Sequence, residues 1–148
     1  MAALQSDIKL VIRPFSTEVE KAPVEAVAVS YDHRGVRYGW WPGINLPAAA
    51  LDVELKDNRA GAFIRQRYAS GDGNFLVRWT MTEVLAKLLD EPVVSLIKRC
   101  GLVRESFEWT NASAVLPQHA RLEQEAVWLR AIELPDHWAA VGYVGNRK

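Results

Sequence analysis

The sequence predicts an α+β fold: a mainly antiparallel sheet built from hairpins, with one well-defined helix packed on it. Three observations carry this. Turn signals separate pairs of apolar, alternating runs. One stretch has helical spacing. No strand–helix alternation of the kind that builds a parallel nucleotide-binding sheet is present. At 148 residues the chain reads as a single domain, 1–148. It is long enough to bury roughly two thirds of its unfolded surface, so it needs no disulfide or metal to hold a core.

Residues 1–7 read as a frayed start. Ile8, Leu10 and Ile12 alternate with Lys9 and Arg13, which predicts a strand ending at Pro14. A polar connection follows, from Phe15 to Pro23. Val24–Tyr31 and Val36–Trp41 form a hairpin around Asp32–Gly35, where the glycine suits a positive φ. Pro42 and Gly43 end its second strand. Between Ile44 and Ala50 the pattern is ambiguous, and Pro47 can open a short helix there. Leu51, Val53 and Leu55 alternate with Asp52, Glu54 and Lys56, a half-exposed strand. Gly61–Tyr68 and Asn74–Trp79 flank the turn Ser70–Gly73 as a third hairpin; a short helix over Phe63–Tyr68 is the rival reading.

Thr80 and Glu83 have capping-box spacing, and Val84, Leu85, Leu88 and Leu89 recur at helical intervals. Pro92 then stops the helix, which is predicted over Met81–Asp90. Val93–Ile97 is rich in β-branched residues and reads as a strand. Leu102–Trp109 alternates after a turn at Gly101. Thr110–Ala114 is loop-like, and Gln118–Gln124 is a helical candidate with Pro117 in its first turn. Ala126–Leu134 and Trp138–Val144 are two apolar strands joined across Pro135–His137.

Charge and composition narrow the function. The 18 basic and 18 acidic residues cancel, which argues against strong attraction to nucleic acid or an anionic membrane, although a local basic patch is compatible with it. A helix-turn-helix over Leu85–Lys98 is disfavoured for that reason and because β-branched residues follow Pro92. Cys100 is the only cysteine, so no internal disulfide forms; no signal-peptide core or membrane-length apolar run occurs. The expected location is the cytoplasm. His33, His119 and His137 lack metal-ligand spacing, and no zinc, calcium, phosphate-loop or nucleophile-elbow motif is found. No metal or cofactor is expected.

Arginines are the most informative polar residues. Arg65 and Arg67 share a face of one proposed strand, with Arg78 on its partner. Arg130 shares its pleat face with Trp128, Ile132 and Leu134. An arginine on an apolar face takes either an internal acid, such as Glu105 or Glu133, or the carboxylate of a ligand. Six tryptophans is a high count; some belong to the core and a pocket or an interface can use the rest, and Trp40 and Trp41 beside Pro42–Gly43 form a candidate interface patch.

Roughly residues 79–144 resemble the first half of the chorismate lyase family. The matching features are Thr80–Thr82 with Leu85 and Leu89, then Val93–Leu96, Leu116–Pro117 and Trp128–Leu134, with Trp138 and Val141 on the returning strand. The resemblance implies a carboxylate-binding role for Arg130 in a buried pocket. It also implies removal of pyruvate from chorismate without metal or organic cofactor. The family's second half, which supplies an acidic site residue, has no counterpart in residues 1–78.

The leading expectation is a non-catalytic domain that binds a small aromatic or anionic ligand between its sheet and the Met81–Asp90 helix. Arg130 would hold a carboxylate, with Trp128 and Trp138 lining the pocket. The alternatives are a protein-interaction or self-assembly module using Trp40 and Trp41, as a possible homo-oligomer, and a chorismate lyase-like enzyme.

Overall fold

In the computed structural model, residues 5–15, 26–57 and 75–145 are described. Within them the fold is α+β with two antiparallel sheets. A small sheet has the strand order β1 (Val11–Pro14), β3 (Arg37–Trp41), β2 (Ala28–Tyr31). A larger one has the order β4 (Ala49–Leu55), β7 (His137–Gly145), β6 (Ala126–Glu133), β5 (Thr110–Asn111). The helices are α1 (Phe75–Leu89), α2 (Val93–Cys100) and the one-turn α3 (Ala112–Val115). Helix α1 lies against β4, β6 and β7.

The larger sheet is the middle layer. Side chains two apart on a strand share a face. Val127, Leu129 and Ala131 of β6 and Ala140 of β7 therefore point one way and pack on Val77, Met81, Val84 and Leu85 of α1. Leu51 and Val53 of β4 with Ala139, Val141 and Tyr143 of β7 point the other way and meet Tyr38 and Trp40 of the small sheet. Each apolar side chain fully buried this way contributes about 1.5–3 kcal/mol.

The two long hairpins agree with their sequence signals. β2 and β3 flank a turn in which Gly35 has φ +84°, and β6 and β7 flank Pro135 and Asp136. Other segments differ. Helix α1 already includes Phe75, so Thr80 and Thr82 lie inside it and their hydroxyls donate to Leu76 O and Arg78 O, both at 2.6 Å. The capping-box spacing is thus not a helix start, and residues 75–79 are helical rather than a strand. Their proposed partner, Gly61–Tyr68, with Arg65 and Arg67, lies outside the described residues.

Val93–Ile97 is the first part of α2, not a strand. Pro92 is its N-cap in extended conformation, and Leu96 and Ile97 are buried on one face. Packing overrides the β-branched preference here. Leu102–Trp109 is not a strand either. Its first residues are bonded to α1: Val103 N donates to Thr82 Oγ1 at 3.0 Å, and Arg78 donates to Val103 O and Leu102 O at 3.0 and 3.2 Å. Ser106 O accepts one bond from Ala131 N of β6 at 2.7 Å, and the strand pairing with β6 is made by Thr110 and Asn111. Strand β4 is buried on both faces rather than half-exposed, and no helix forms at Pro47. The Gln118–Gln124 segment holds a short 3-10 turn, Ala120–Glu123.

A Cβ at Gly142 would lie 2.7–2.9 Å from the methyls of Leu129, Val84 and Leu88. Gly142→Ala is therefore expected to destabilise by about 1–3 kcal/mol through overpacking, read from the urea midpoint; an unchanged midpoint would show that α1 can retreat.

Candidate functional site

The outer face of the small sheet is covered by no described element and is unusually apolar and aromatic. Its register can be read row by row. Val11 lies opposite Trp41, and Val27 follows on the far side, its N–H donating to Trp40 O at 3.0 Å. Next come Arg13, Gly39 and Val29. The last row is Phe15, Arg37 and Tyr31, with Phe15 N donating to Arg37 O at 3.0 Å. Val11, Val29 and Tyr31 are 44%, 43% and 57% exposed, which a strand needing only a soluble outer face would not require.

Glycine shapes this surface at two points. A Cβ on Gly39 would be 2.7 Å from the Trp41 ring and 3.1 Å from Phe15, so Trp41 leans over the glycine. The Arg13 guanidinium carbon sits 4.2 Å from the Trp41 ring centroid. Gly43 has φ +78°, and the Lys9 stem crosses it, with Lys9 Cδ 3.0 Å from where a Cβ would stand. The Lys9 backbone is pinned: its N–H donates to Pro42 O at 2.8 Å, and its carbonyl accepts from Trp40 Nε1 at 2.9 Å.

A cleft of about 640 Å3 lies over the first row, lined by Lys9, Val11, Arg13, Val27, Trp41, Gly43, Ile44 and Asn45. It combines two cations, an indole and aliphatic walls, with no carboxylate among its described lining. The alternation of Lys9 and Arg13 along one strand was visible in the sequence. Their meeting with Trp41 depends on strand register, which was not. Trp40 and Trp41 part company: Trp40 is fully buried between the sheets, and only Trp41 faces outward.

The arginine–tryptophan group expected from the sequence is divided by the larger sheet. Arg130 and Trp128 lie on the face toward the small sheet. Trp138, paired with Glu133, lies on the helix face beside Phe107, with Lys56 Nζ 4.8 Å from its ring centroid. The space between α1 and the sheet is filled by buried aliphatic side chains. Arg130 itself is half-buried, and its Nε is buried without a hydrogen-bond partner among the described residues. Burial draws its pKa down, and the nearby Glu108 carboxylate opposes this.

Three buried polar clusters are structural ties. Asp32, at the β2–β3 turn, accepts from the backbone N–H groups of Arg34 and Val36 at 2.9 and 3.0 Å, from Arg34 Nη2 at 2.9 Å, and from His137 Nε2 at 3.0 Å. The Tyr38 hydroxyl is 3.3 Å from the same nitrogen. This carboxylate–imidazole pair resembles a catalytic base with its orienter, but the Nε2 proton already serves Asp32 and both side chains are inaccessible. It joins the tips of the two hairpins.

In the second cluster, His119 Nδ1 accepts from Arg121 N at 3.2 Å. Its proton is therefore on Nε2, which donates to Glu91 at 2.6 Å. That bond, with Arg99 on the same carboxylate, holds the Glu91 pKa below the usual range. In the third, Asp52 of β4 is buried, with Oδ1 3.5 Å from both Lys87 Nζ and Ser30 Oγ, while Oδ2 has no partner among the described residues. Burial, then Glu54, pushes its pKa well up; Lys87 opposes this and Glu83 adds to it.

Among the described residues no group of three His, Cys, Asp or Glu side chains is placed to hold a metal. No described helix is long and apolar enough to cross a membrane. Comparison with protein families, with curated proteins and with solved structures finds no match to the chain.

Two titrations follow. Burial tends to raise the Asp32 pKa, but the bonds from His137, Arg34 and the backbone outweigh it and bring it from 3.8 to about 2. A depressed folded pKa means stability present above about pH 4 and lost as pH falls through about 2. The loss is about 2 kcal/mol, and Asp32→Asn should remove that step from a plot of stability against pH. Asp52 has the opposite sign. Its ionised form is disfavoured in the fold, so Asp52→Asn should raise the melting temperature at neutral pH and lose this advantage under acid. A destabilised variant at neutral pH would show that the Lys87 pairing outweighs burial.

Proposed function

We propose that this protein is a non-catalytic binding domain for a small planar anion, seated in the cleft over Val11, Trp41 and Val27. The observation that supports this reading is the meeting of the Lys9 side chain with an indole and aliphatic walls in one cleft. An aromatic carboxylate or phosphate satisfies both parts. Its ring lies against the indole edge and the aliphatic walls, and its charge meets Lys9 Nζ. The volume falls within the usual range for small-ligand sites.

Arg130 supports a second reading. A buried donor without a partner is costly, and a ligand carboxylate beside Trp128 would supply one. The two sites share no lining residue, so substitutions separate them.

A panel of aromatic carboxylates and phosphates, with cationic and neutral controls, should raise the melting temperature only for the anions. A ligand at about 100 times its Kd stabilises by about 2.7 kcal/mol, a shift of several degrees in a domain of this size. Lys9→Glu should abolish the shift and Arg130→Ala should leave it intact. The reverse outcome moves the ligand to Arg130, and no shift with any anion removes both readings.

A further inference from the structure

We infer that the free edge of β2 pairs with β2 of a second copy of this chain, joining two three-stranded sheets into one. The inference is independent of the cleft and rests on backbone groups. Strand β2 lies at the margin of its sheet, with β3 on one side. In an antiparallel strand, alternate residues turn both N–H and C=O to the same neighbour. Asp32 N donates to Val36 O at 2.9 Å, so Ala28 and Ser30 face β3, and Val29 and Tyr31 face away from it. Among the described residues, none bonds the outward N–H and C=O groups of Val29 and Tyr31. Both residues are exposed, Tyr31 by 57% even with the Arg37 guanidinium carbon 5.3 Å from its ring centroid.

Sheet edges are normally protected by proline, by lysine, by shortness or by a cover. Among the described residues the other margins have such protection. The β1 margin holds Pro14, which has no N–H to offer, and Lys9 just before the strand. The β4 margin is closed from α1: Lys87 Nζ donates to Leu51 O at 2.7 Å, and Leu51 and Val53 are buried. Strand β5 has only 2 residues. The Val29–Tyr31 edge has none of these devices.

The pattern of donors and charges selects the occupant. A two-fold axis at Ser30 sets Val29 opposite Tyr31 of the second copy. Every outward N–H then meets an outward C=O, the self-complementarity that a two-fold contact requires. Ala28–Tyr31 carries no charged side chain, so two copies meet without like-charge repulsion. A β-branched residue also lies against an aromatic one across the seam, a favourable cross-strand pair. An acidic or basic peptide would find no charge partner on this strand.

Sedimentation equilibrium over a concentration series reaching about 1 mM tests this. The chain is expected to pass from monomer to dimer as concentration rises. Val29→Pro removes an N–H that β3 does not use, so it keeps the internal ladder and should leave a monomer throughout. Val29→Glu and Tyr31→Lys each place like charges on both sides of the seam and should each weaken the dimer. Mixing these two variants should restore association, at least about tenfold tighter than either alone, because the register sets position 29 opposite position 31. A variant that failed to fold could not give that rescue. A chain that stays monomeric at every concentration overturns the inference, which is also the outcome if an unrelated extended strand is the true occupant. A dimer that survives Val29→Pro overturns it as well, and so does a mixture no tighter than its parts.

Discussion

Strand β7 is covered on both faces, and the fold depends on how closely its two covers can approach. Ala139, Ala140 and Val141 are fully buried, and Gly142 leaves room for Val84, Leu88 and Leu129 to meet over the backbone. The bulk is supplied from outside: Met81 and Leu85 from the helix on one side, Trp40 and Tyr38 from the small sheet on the other. Small residues at the centre and large ones in the covers let the layers interdigitate at native density. The small sheet is also tied down at its margins by polar links: Asp32 to His137, Ser30 to Asp52, and Gln5 to the Tyr143 hydroxyl.

That arrangement uses only one face of the small sheet. Its inward residues, Tyr38 and Trp40, complete the core, and no described element packs on Val11, Val29 or Tyr31 of its outward face. An outward face with no structural role is ordinarily polar. Here it holds Val11, Val29, Tyr31 and Trp41 with Arg13 and Arg37 laid against the rings. The guanidinium planes screen part of the aromatic surface from water, which tempers the aggregation hazard of such a patch.

Local chemistry made some elements legible in the sequence. The turn at Asp32–Gly35 and the break at Pro135–Asp136 each act over a few residues, so the hairpins around them could be read directly. The helical stretch was legible in type but not in its start. The Thr80 and Glu83 spacing fits a cap equally well when the threonine sits mid-helix and bonds back to Leu76 O. Val93–Ile97 and Leu102–Trp109 were misread because their conformation is set by partners distant in sequence: burial of Leu96 and Ile97 in one case, Thr82 and Arg78 in the other. The cleft was hidden for the same reason. Lys9, Trp41 and Asn45 become neighbours only through a register that no single residue announces, while Arg130 and Trp138 look close in sequence and are separated by strand parity.

The adjacent indoles of β3 have a consequence for how the chain finds its pairing. Slipping an antiparallel strand by one residue exchanges its two faces. With tryptophan at both 40 and 41, that exchange would put an indole in the core either way, so the pair cannot tell the correct alignment from its nearest error. The neighbours decide. The native alignment turns Tyr38 inward to His137, whereas the slipped one would bury the charge of Arg37 and leave Gly39 as a void beneath the larger sheet. Arg37 and Gly39 therefore guard the alignment of the strand as well as shaping its surface, and a greasy residue at either position would make two threadings of β3 nearly equivalent.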